Sequence, residues 1–461
     1  MKLLFVENRY TTRVFERVAV GLQALGHGVA WMVQNHRFAP AGWPAVHRLP
    51  YPGLADLQAP AQHHRFANLA RIDRGIRYFG GKADHYAHYA RHIAAVLDRL
   101  VPDVVFGEST QFHELITVAL CRDRGIPYLH PAATRIPHGR ICFLQGDTLD
   151  TLAGAGQALP EAQALEIVDA VAARRYAAFT NATAAQPDVS ALVRQTRRAV
   201  DKLTLVHAWL EGERFITPSP WVKLRLERQR LAALASIDAM AAARPFEVAQ
   251  LGRYVLYPMQ MQPETNIDVW GAPHHDQARI IARAAGSLAD SGMRLVVKLN
   301  PTAKYELLEP GLGQALALPN VSVAPRIIAM APLLAGAQAL LSVTGSVIYE
   351  CIFTGKPVCV LGRHALSRLP GATALDDAAQ LAPVLPALQA QADGRAHALQ
   401  LVQAVVRASY PGTWFDPLTM GQYDNPDNLR LLTQAFSDLL GQMDRAPARA
   451  RPAPAAATAT A

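Results

Sequence analysis

Three short stretches in the second half of the chain combine small, amide and carboxylate residues in a pattern that suits a phosphorylated ligand. Thr344, Gly345 and Ser346 stand between an apolar run, Leu340–Val343, and a periodic apolar segment, Val347–Phe353. A helix beginning on such a turn directs unpaired N–H groups and a positive dipole end at whatever lies above the sheet, which suits a diphosphate or nucleotide monophosphate. Glu350, one turn inside, is placed to accept hydrogen bonds from a ribose. Gln260, Gln262, Pro263 and Glu264 follow the apolar run Tyr254–Met259, and Asn300-Pro301-Thr302 follows Leu295–Leu299, which carries Lys298 near its end. If those runs are neighbouring strands, Gln262, Glu264, Lys298, Asn300, Thr344, Gly345, Ser346 and Glu350 meet at one rim and can hold the base, ribose and phosphate of a nucleotide. Each stretch also has a plain reading, as a packing turn, a surface turn or a strand terminator.

In the first half the candidates are Glu7, Glu108 and the segment His130–Asp147. Glu108 ends a buried run in the context Gly107-Glu108-Ser109, where a carboxylate could act as base or nucleophile. The alternative is an exposed Glu108 beside a helix cap at Ser109 or Thr110. His130, Arg135, His138 and Arg140 lie in a stretch with few carboxylates. They could hold an acidic sugar or a phosphate, or be solvated loop charges. No Walker motif, GxGxxG fingerprint or supportable Ser-His-Asp spacing is present. His63-His64 and His274-His275 lack a convincing set of nearby ligands, so neither a metal nor a cofactor is expected.

The elements that must position these groups alternate strand and helix. Lys2–Val6, a helix Thr12–Leu25 stopped at Gly26 and Gly28, and Val29–Val33 form a βαβ opening. A second unit follows in Val104–Phe106, Gln111–Arg124 and Pro127–His130, giving a parallel, doubly wound sheet. The second half repeats the alternation from Tyr254 to Leu361. The expected fold is therefore α/β, two doubly wound Rossmann-like domains facing a central cleft with a helical insertion between them. The boundaries are 1–160 for the N-terminal domain, 161–245 for the insertion, 246–425 for the C-terminal domain, 426–444 for a closing helix and 445–461 for a disordered tail. A length of 461 residues agrees with two cores.

With a net charge of +8, the arginines are scattered rather than gathered with aromatics, which disfavours nucleic acid. No apolar run is long enough to span a membrane, so any membrane contact is peripheral. Cys121, Cys142, Cys351 and Cys359 have no finger spacing and read as buried, reduced thiols of a cytoplasmic protein.

The stretches YPMQMQPE, Asp276-Gln277, VVKLNP and SVTGSVIYECIFTGKPVCVLG, with PDVVFGES and RGIPYLHP to RIPHGR more loosely, resemble the bacterial capsule and surface-polysaccharide glycosyltransferases, a GT-B family that includes the β-Kdo transferases. The resemblance implies a nucleotide-sugar in the C-terminal domain, a polysaccharide or glycolipid acceptor on the N-terminal side, and no obligatory metal. It also implies a donor resembling CMP-Kdo. Family members usually carry His-Pro where this chain has Asn300-Pro301, and an amide cannot supply the charge-assisted bond of an imidazolium. Three functions fit: a glycosyltransferase with Glu108 as its catalytic carboxylate, a non-catalytic glycan-binding partner, or another GT-B-shaped enzyme such as a sugar-nucleotide epimerase or polyol-phosphate transferase.

Overall fold

The computed structural model describes residues 1–57, 66–152, 154–173, 200, 203–243, 246–388, 394–414 and 425–445. Its first sheet contains β1 (Lys2–Val6), β2 (Gly28–Val33), β3 (Val46–Arg48), β4 (Val104–Phe106), β5 (Tyr128–Ala133) and β6 (Arg140–Gln145). The second contains β7 (Tyr254–Pro258), β8 (Arg294–Lys298), β9 (Val321–Ala324), β10 (Ala339–Ser342), β11 (Val358–Leu361) and β12 (Ala372–Leu375). A last short strand, β13 (Tyr410–Pro411), returns to the first sheet.

The strand orders are β13-β6-β5-β4-β1-β2-β3 and β12-β11-β10-β7-β8-β9. Both place the first strand of the unit in the middle and wind outward on either side. The winding reverses between β1 and β4 in one sheet and between β7 and β10 in the other. Such a reversal opens a crevice at the carboxyl ends of the two central strands. The second sheet is parallel throughout. The two-domain α/β architecture is thus the one read from the sequence.

The first sheet departs from an all-parallel one. β5 and β6 form an antiparallel hairpin, and β13 pairs antiparallel with β6. The segment His130–Asp147 is therefore mostly strand, not a ligand-holding loop. Behind its charged residues the buried run Ile141–Leu144 fills a strand with both faces covered.

Each sheet is covered on both faces. In the first, Phe5, Trp31 and Phe106 stack across three adjacent strands, with ring centroids 5.1 and 5.3 Å apart. This aromatic row is covered by the helices Thr12–Ala24 and Pro426–Arg445. The two helices approach closely at Gly21, where a Cβ would lie 2.6 Å from the Thr433 side chain. The chain leaves the second domain after the helix Gly394–Arg407, so β13 already belongs to the first sheet before residue 426.

Within the expected insertion, the helix Glu161–Ala172 packs on the second domain through Ala164, Val168 and Val171, and Pro220–Ala242 does so through Ile237 and Ala241. Residues 174–199 and the tail 446–461 lie outside the described residues. All four cysteines are buried and unpaired. No helix among the described residues is long and apolar enough to cross a membrane.

Phe436 is fully buried, and its ring lies 4.8 Å from those of Phe106 and Phe143. Phe436→Ala is expected to lower stability by about 3–5 kcal/mol in equilibrium urea unfolding. A change below about 1 kcal/mol would mean that the helix is not part of the first domain's core.

Candidate functional site

At the crevice of the second sheet, the loops after β7 and β10 are joined by one side chain. Gln260 donates through Nε2 to Thr344 Oγ1 at 2.9 Å and accepts from the Thr344 N–H at 3.1 Å. Thr344 Oγ1 then donates to the Asn266 carbonyl, and the Gly345 N–H donates to Ser342 Oγ. Of the three turn residues expected to face an anion, Thr344 and Gly345 are therefore committed inward. Ser346 is exposed and has a hydroxyl and an N–H without a hydrogen bond among the described residues. It precedes the helix Val347–Thr354, whose positive end it marks. Glu350 is buried one turn further on.

Gln262 is fully buried and engaged at every polar group. Its N–H donates to Glu306, its Nε2 to Asp268 Oδ1 and the His275 carbonyl, and its Oε1 accepts from Gln277. Gln277 also accepts from Tyr257 and the Gln260 N–H, so a row of buried amides fixes this rim. Such a row is stable only when each group is satisfied. Lys298 is likewise buried and donates to the Pro325 and Arg326 carbonyls; burial and the nearby Arg326 lower its pKa. Asn300 Oδ1 accepts from the N–H and hydroxyl of Thr302, closing its own turn. Gln262 and Lys298 thus hold loops in place rather than facing the cleft.

Glu264 remains at the rim. Burial raises its pKa, opposed by Arg135 and by a hydrogen bond from Asn266 Nδ2, while Asp268 raises it further. Arg135 follows β5 in the other domain, so these two opposite charges face each other across the junction.

The crevice of the first sheet is built on two buried carboxylates. Glu7 accepts from the N–H groups of Arg9, Gln34 and Asn35. Glu114 accepts from the N–H groups of Glu108, Thr110 and Gln111, from the Thr110 hydroxyl, and from Asn8 Nδ2. The helix Phe112–Asp123 is therefore capped by Glu114 from inside its first turn, not by Ser109 or Thr110. Glu108 is partly buried directly before this cap.

The two crevices meet. Ser109 Oγ accepts a hydrogen bond from Trp270 Nε1 at 3.3 Å and shares one with His130 Nδ1 at 3.2 Å. The His130 and Trp270 rings lie 5.4 Å apart. Tyr78 donates to Asp268 Oδ1 at 2.7 Å, and Arg77 bonds the His275 carbonyl and Glu309. Burial and Arg9 lower the Arg74 pKa, while Glu114, Asp268 and Asp73 raise it.

Two sequence candidates take other roles. Burial pushes His130 down to about 4, so it is neutral near pH 7 and cannot attract an acidic sugar by charge. Arg140 donates to Ser409 Oγ and to the Val406 and Ser409 carbonyls, where it ties β6 to the end of the helix Gly394–Arg407. Arg135 and His138 are exposed, and burial followed by Arg135 lowers the His138 pKa. Glu114, Trp270 and Tyr78 were not legible as site residues. A glutamate three residues after Gln111 is the signal that could have found the cap, and no sequence signal marks the contacts between domains. Among the described residues no group of three His, Cys, Asp or Glu side chains is placed to hold a metal.

No family model and no curated protein sequence matches the chain. Solved structures that align with it include a UDP-GlcNAc 2-epimerase from Neisseria meningitidis bound to UDP-GlcNAc, at 12% identity and TM-score 0.31, covering 96% of this chain and 100% of that one. A UDP-GlcNAc 2-epimerase from Methanocaldococcus jannaschii aligns at 11% identity and TM-score 0.24 over 96% and 100% of the two chains. The glycosyltransferase VinC in complex with dTDP aligns at 14% and 0.27, again over 96% and 100%. Likenesses this distant carry no argument about the reaction.

Two expectations follow. The His130 ring should show no titration between pH 5.5 and 8 by NMR; a midpoint near the ordinary value of about 6.5 would place it in open solvent. Glu306 is fully buried, with Oε2 accepting from the Gln262 and Lys304 N–H groups and Oε1 unpartnered. Burial pushes it up to about 6 from the ordinary glutamate value of 4.5. The folded state holds this proton more tightly than the unfolded one, so the stability contribution is full below about pH 4.5 and lost as pH rises through about 6. Wild type should lose about 2 kcal/mol more than Glu306→Gln between pH 4.5 and 7.5. Parallel pH–stability curves for the two proteins would mean that folding leaves the Glu306 pKa where it is in the unfolded chain.

Proposed function

We propose that the protein is a glycosyltransferase that moves a sugar from a nucleotide-sugar to a growing surface polysaccharide. The observation that supports it most is the doubled crevice: two sheets of the same winding order bring their strand-end loops together at Ser109, Trp270, Tyr78 and Asp268. A donor and an acceptor can then be held by different domains and react at the seam. The GT-B resemblance of the sequence favours the same arrangement.

In this reading Ser346 and the start of the helix Val347–Thr354 hold the donor phosphate, and Glu350 holds the ribose. Glu264 and Arg135 border the sugar. Glu108 activates the acceptor hydroxyl or forms a glycosyl intermediate. A second reading, glycan binding without transfer, is favoured by Asn300: its Oδ1 is closed into a turn, leaving a neutral amide where the resembling family has histidine.

Calorimetry with CMP, CDP, UDP, GDP and dTDP is expected to find one that binds. Glu108→Gln should keep that affinity and lower transfer by about 100-fold or more. Glu350→Ala should weaken nucleotide binding by about tenfold or more. A protein that binds none of the nucleotides but binds an oligosaccharide would replace the transferase reading with the second one.

A further inference from the structure

The helix Pro220–Ala242 is apolar on two opposite sides. Leu226, Ile237 and Ala241 are buried on the inner side, the last two within the core of the second domain. On the outer side Trp221, Leu224, Arg228 and Leu231 recur at intervals of three and four residues, which places them on one face. All four are exposed, Trp221 at 79%. Arg225 stands one turn after Trp221 and is exposed as well.

A surface helix ordinarily keeps its outward side polar, and this one carries a tryptophan and two leucines there. Seven of the twelve large exposed hydrophobics among the described residues lie between positions 200 and 231, so the exposed apolar surface is concentrated in this region. In the helical residues 203–210, Leu203, Val206 and Leu210 repeat the same spacing.

The charges of the long helix are sorted between its sides. Its two acids, Glu227 and Asp238, are taken by Arg230 and Arg326. Arg225 and Arg228 are left without an acid of the helix to pair with, and neither forms a hydrogen bond or ion pair with another described residue. An arginine stem can lie along apolar neighbours while its guanidinium stays at the outer end. The face therefore fits a partner that is apolar inside and anionic at its boundary. A second copy of the chain docked by two-fold symmetry would set the same arginines against each other. A nucleic acid would neutralise the arginines and leave the leucines unused. The boundary of an anionic bilayer meets all of them, with acyl carbon for the leucines, an interfacial position for the indole and phosphates for the guanidiniums.

We propose that the outward face of the helix Pro220–Ala242, centred on Trp221, Leu224, Arg225 and Arg228, docks the protein on an anionic lipid surface. The contact is peripheral and reversible, since a few side chains make it. Arg230 and Leu234, on the other flank of the helix, line a cavity together with Phe79 of the first domain and Tyr305 of the second. Docking thus holds the domain junction close to the bilayer, where a lipid-linked acceptor would arrive. That consequence rests on the transferase reading; the docking itself does not.

The test is co-sedimentation of the full chain with lipid vesicles, with no turnover required. Phosphatidylcholine vesicles containing about 30% phosphatidylglycerol should bind the protein, less so with added salt, and pure phosphatidylcholine vesicles should bind at least about tenfold more weakly. Trp221→Ala should lower the binding by about tenfold, and Arg225→Gln combined with Arg228→Gln by about 25-fold. These side chains are exposed, so the melting temperatures should not change. Bromine-labelled acyl chains should quench wild-type fluorescence more than that of Trp221→Phe. Equal binding to both vesicle types, binding to neither, or variants that bind like the wild type would overturn the proposal. A dimer that Trp221→Ala dissociates in sedimentation velocity would overturn it in favour of a second copy, and binding to poly(U) in place of vesicles would do so in favour of a nucleic acid. Vesicle binding by a protein that binds no nucleotide would leave the docking standing and remove the transferase reading alone.

Discussion

Asp268 is the carboxylate on which the rest of the arrangement depends. It is 3% exposed, and its oxygens accept from the Tyr78 hydroxyl, Gln262 Nε2 and the Glu264 N–H, with Arg77 3.9 Å away. Burial raises its pKa against the pull of those donors. A buried carboxylate is tolerable only with most of its lone pairs occupied, and removing one partner costs more than the bond itself gained. Tyr78 belongs to one domain and the other two donors to the second. The domains cannot separate at this point without leaving that charge short of a donor, and the loop after β7 cannot change shape without disturbing the same atom. Domain docking and rim geometry are therefore one equilibrium.

The two crevices use different chemistry for the same task. Around β1 and β4, the buried carboxylates of Glu7 and Glu114 collect backbone N–H groups from three loops. Around β7 and β10, the amides of Gln260, Gln262 and Gln277 both give and accept. Carboxylates accept only, so they suit a place where several loops present N–H groups; amides suit one where donors and acceptors alternate. In both cases the most polar buried residues hold the scaffold. In the proposed reading, the groups that meet a ligand stand at the margins, in Ser346, Glu264 and Arg135.

The strand and helix alternation was legible because each core strand is short, apolar and bounded by glycine or polar turns, and because the period change at residues such as Val347 is sharp. The hairpin of β5 and β6 was not, since Arg135, His138 and Arg140 outweighed the apolar run behind them. The carboxyl rim of the second sheet was also legible, but the division of labour within it was not. A sequence places Thr344, Gly345 and Ser346 side by side without showing that Gln260, eighty-four positions away, takes up the first of them. Whether a lysine such as Lys298 faces a ligand or two backbone carbonyls depends on the loop after another strand. Contacts of that kind are set by packing between elements far apart in the chain.

The aromatic row of the first sheet has a consequence for how the protein is made. Phe106 and Phe143 are covered by Phe436, and the β6 edge is paired by Tyr410, both of which emerge from the ribosome only after the entire second domain. Until then the nascent first domain carries an uncovered aromatic face beside an open strand edge, the two features that most readily recruit another chain. Biosynthesis thus exposes its weakest surface for the time needed to translate its neighbour, and the first domain closes last although it is made first.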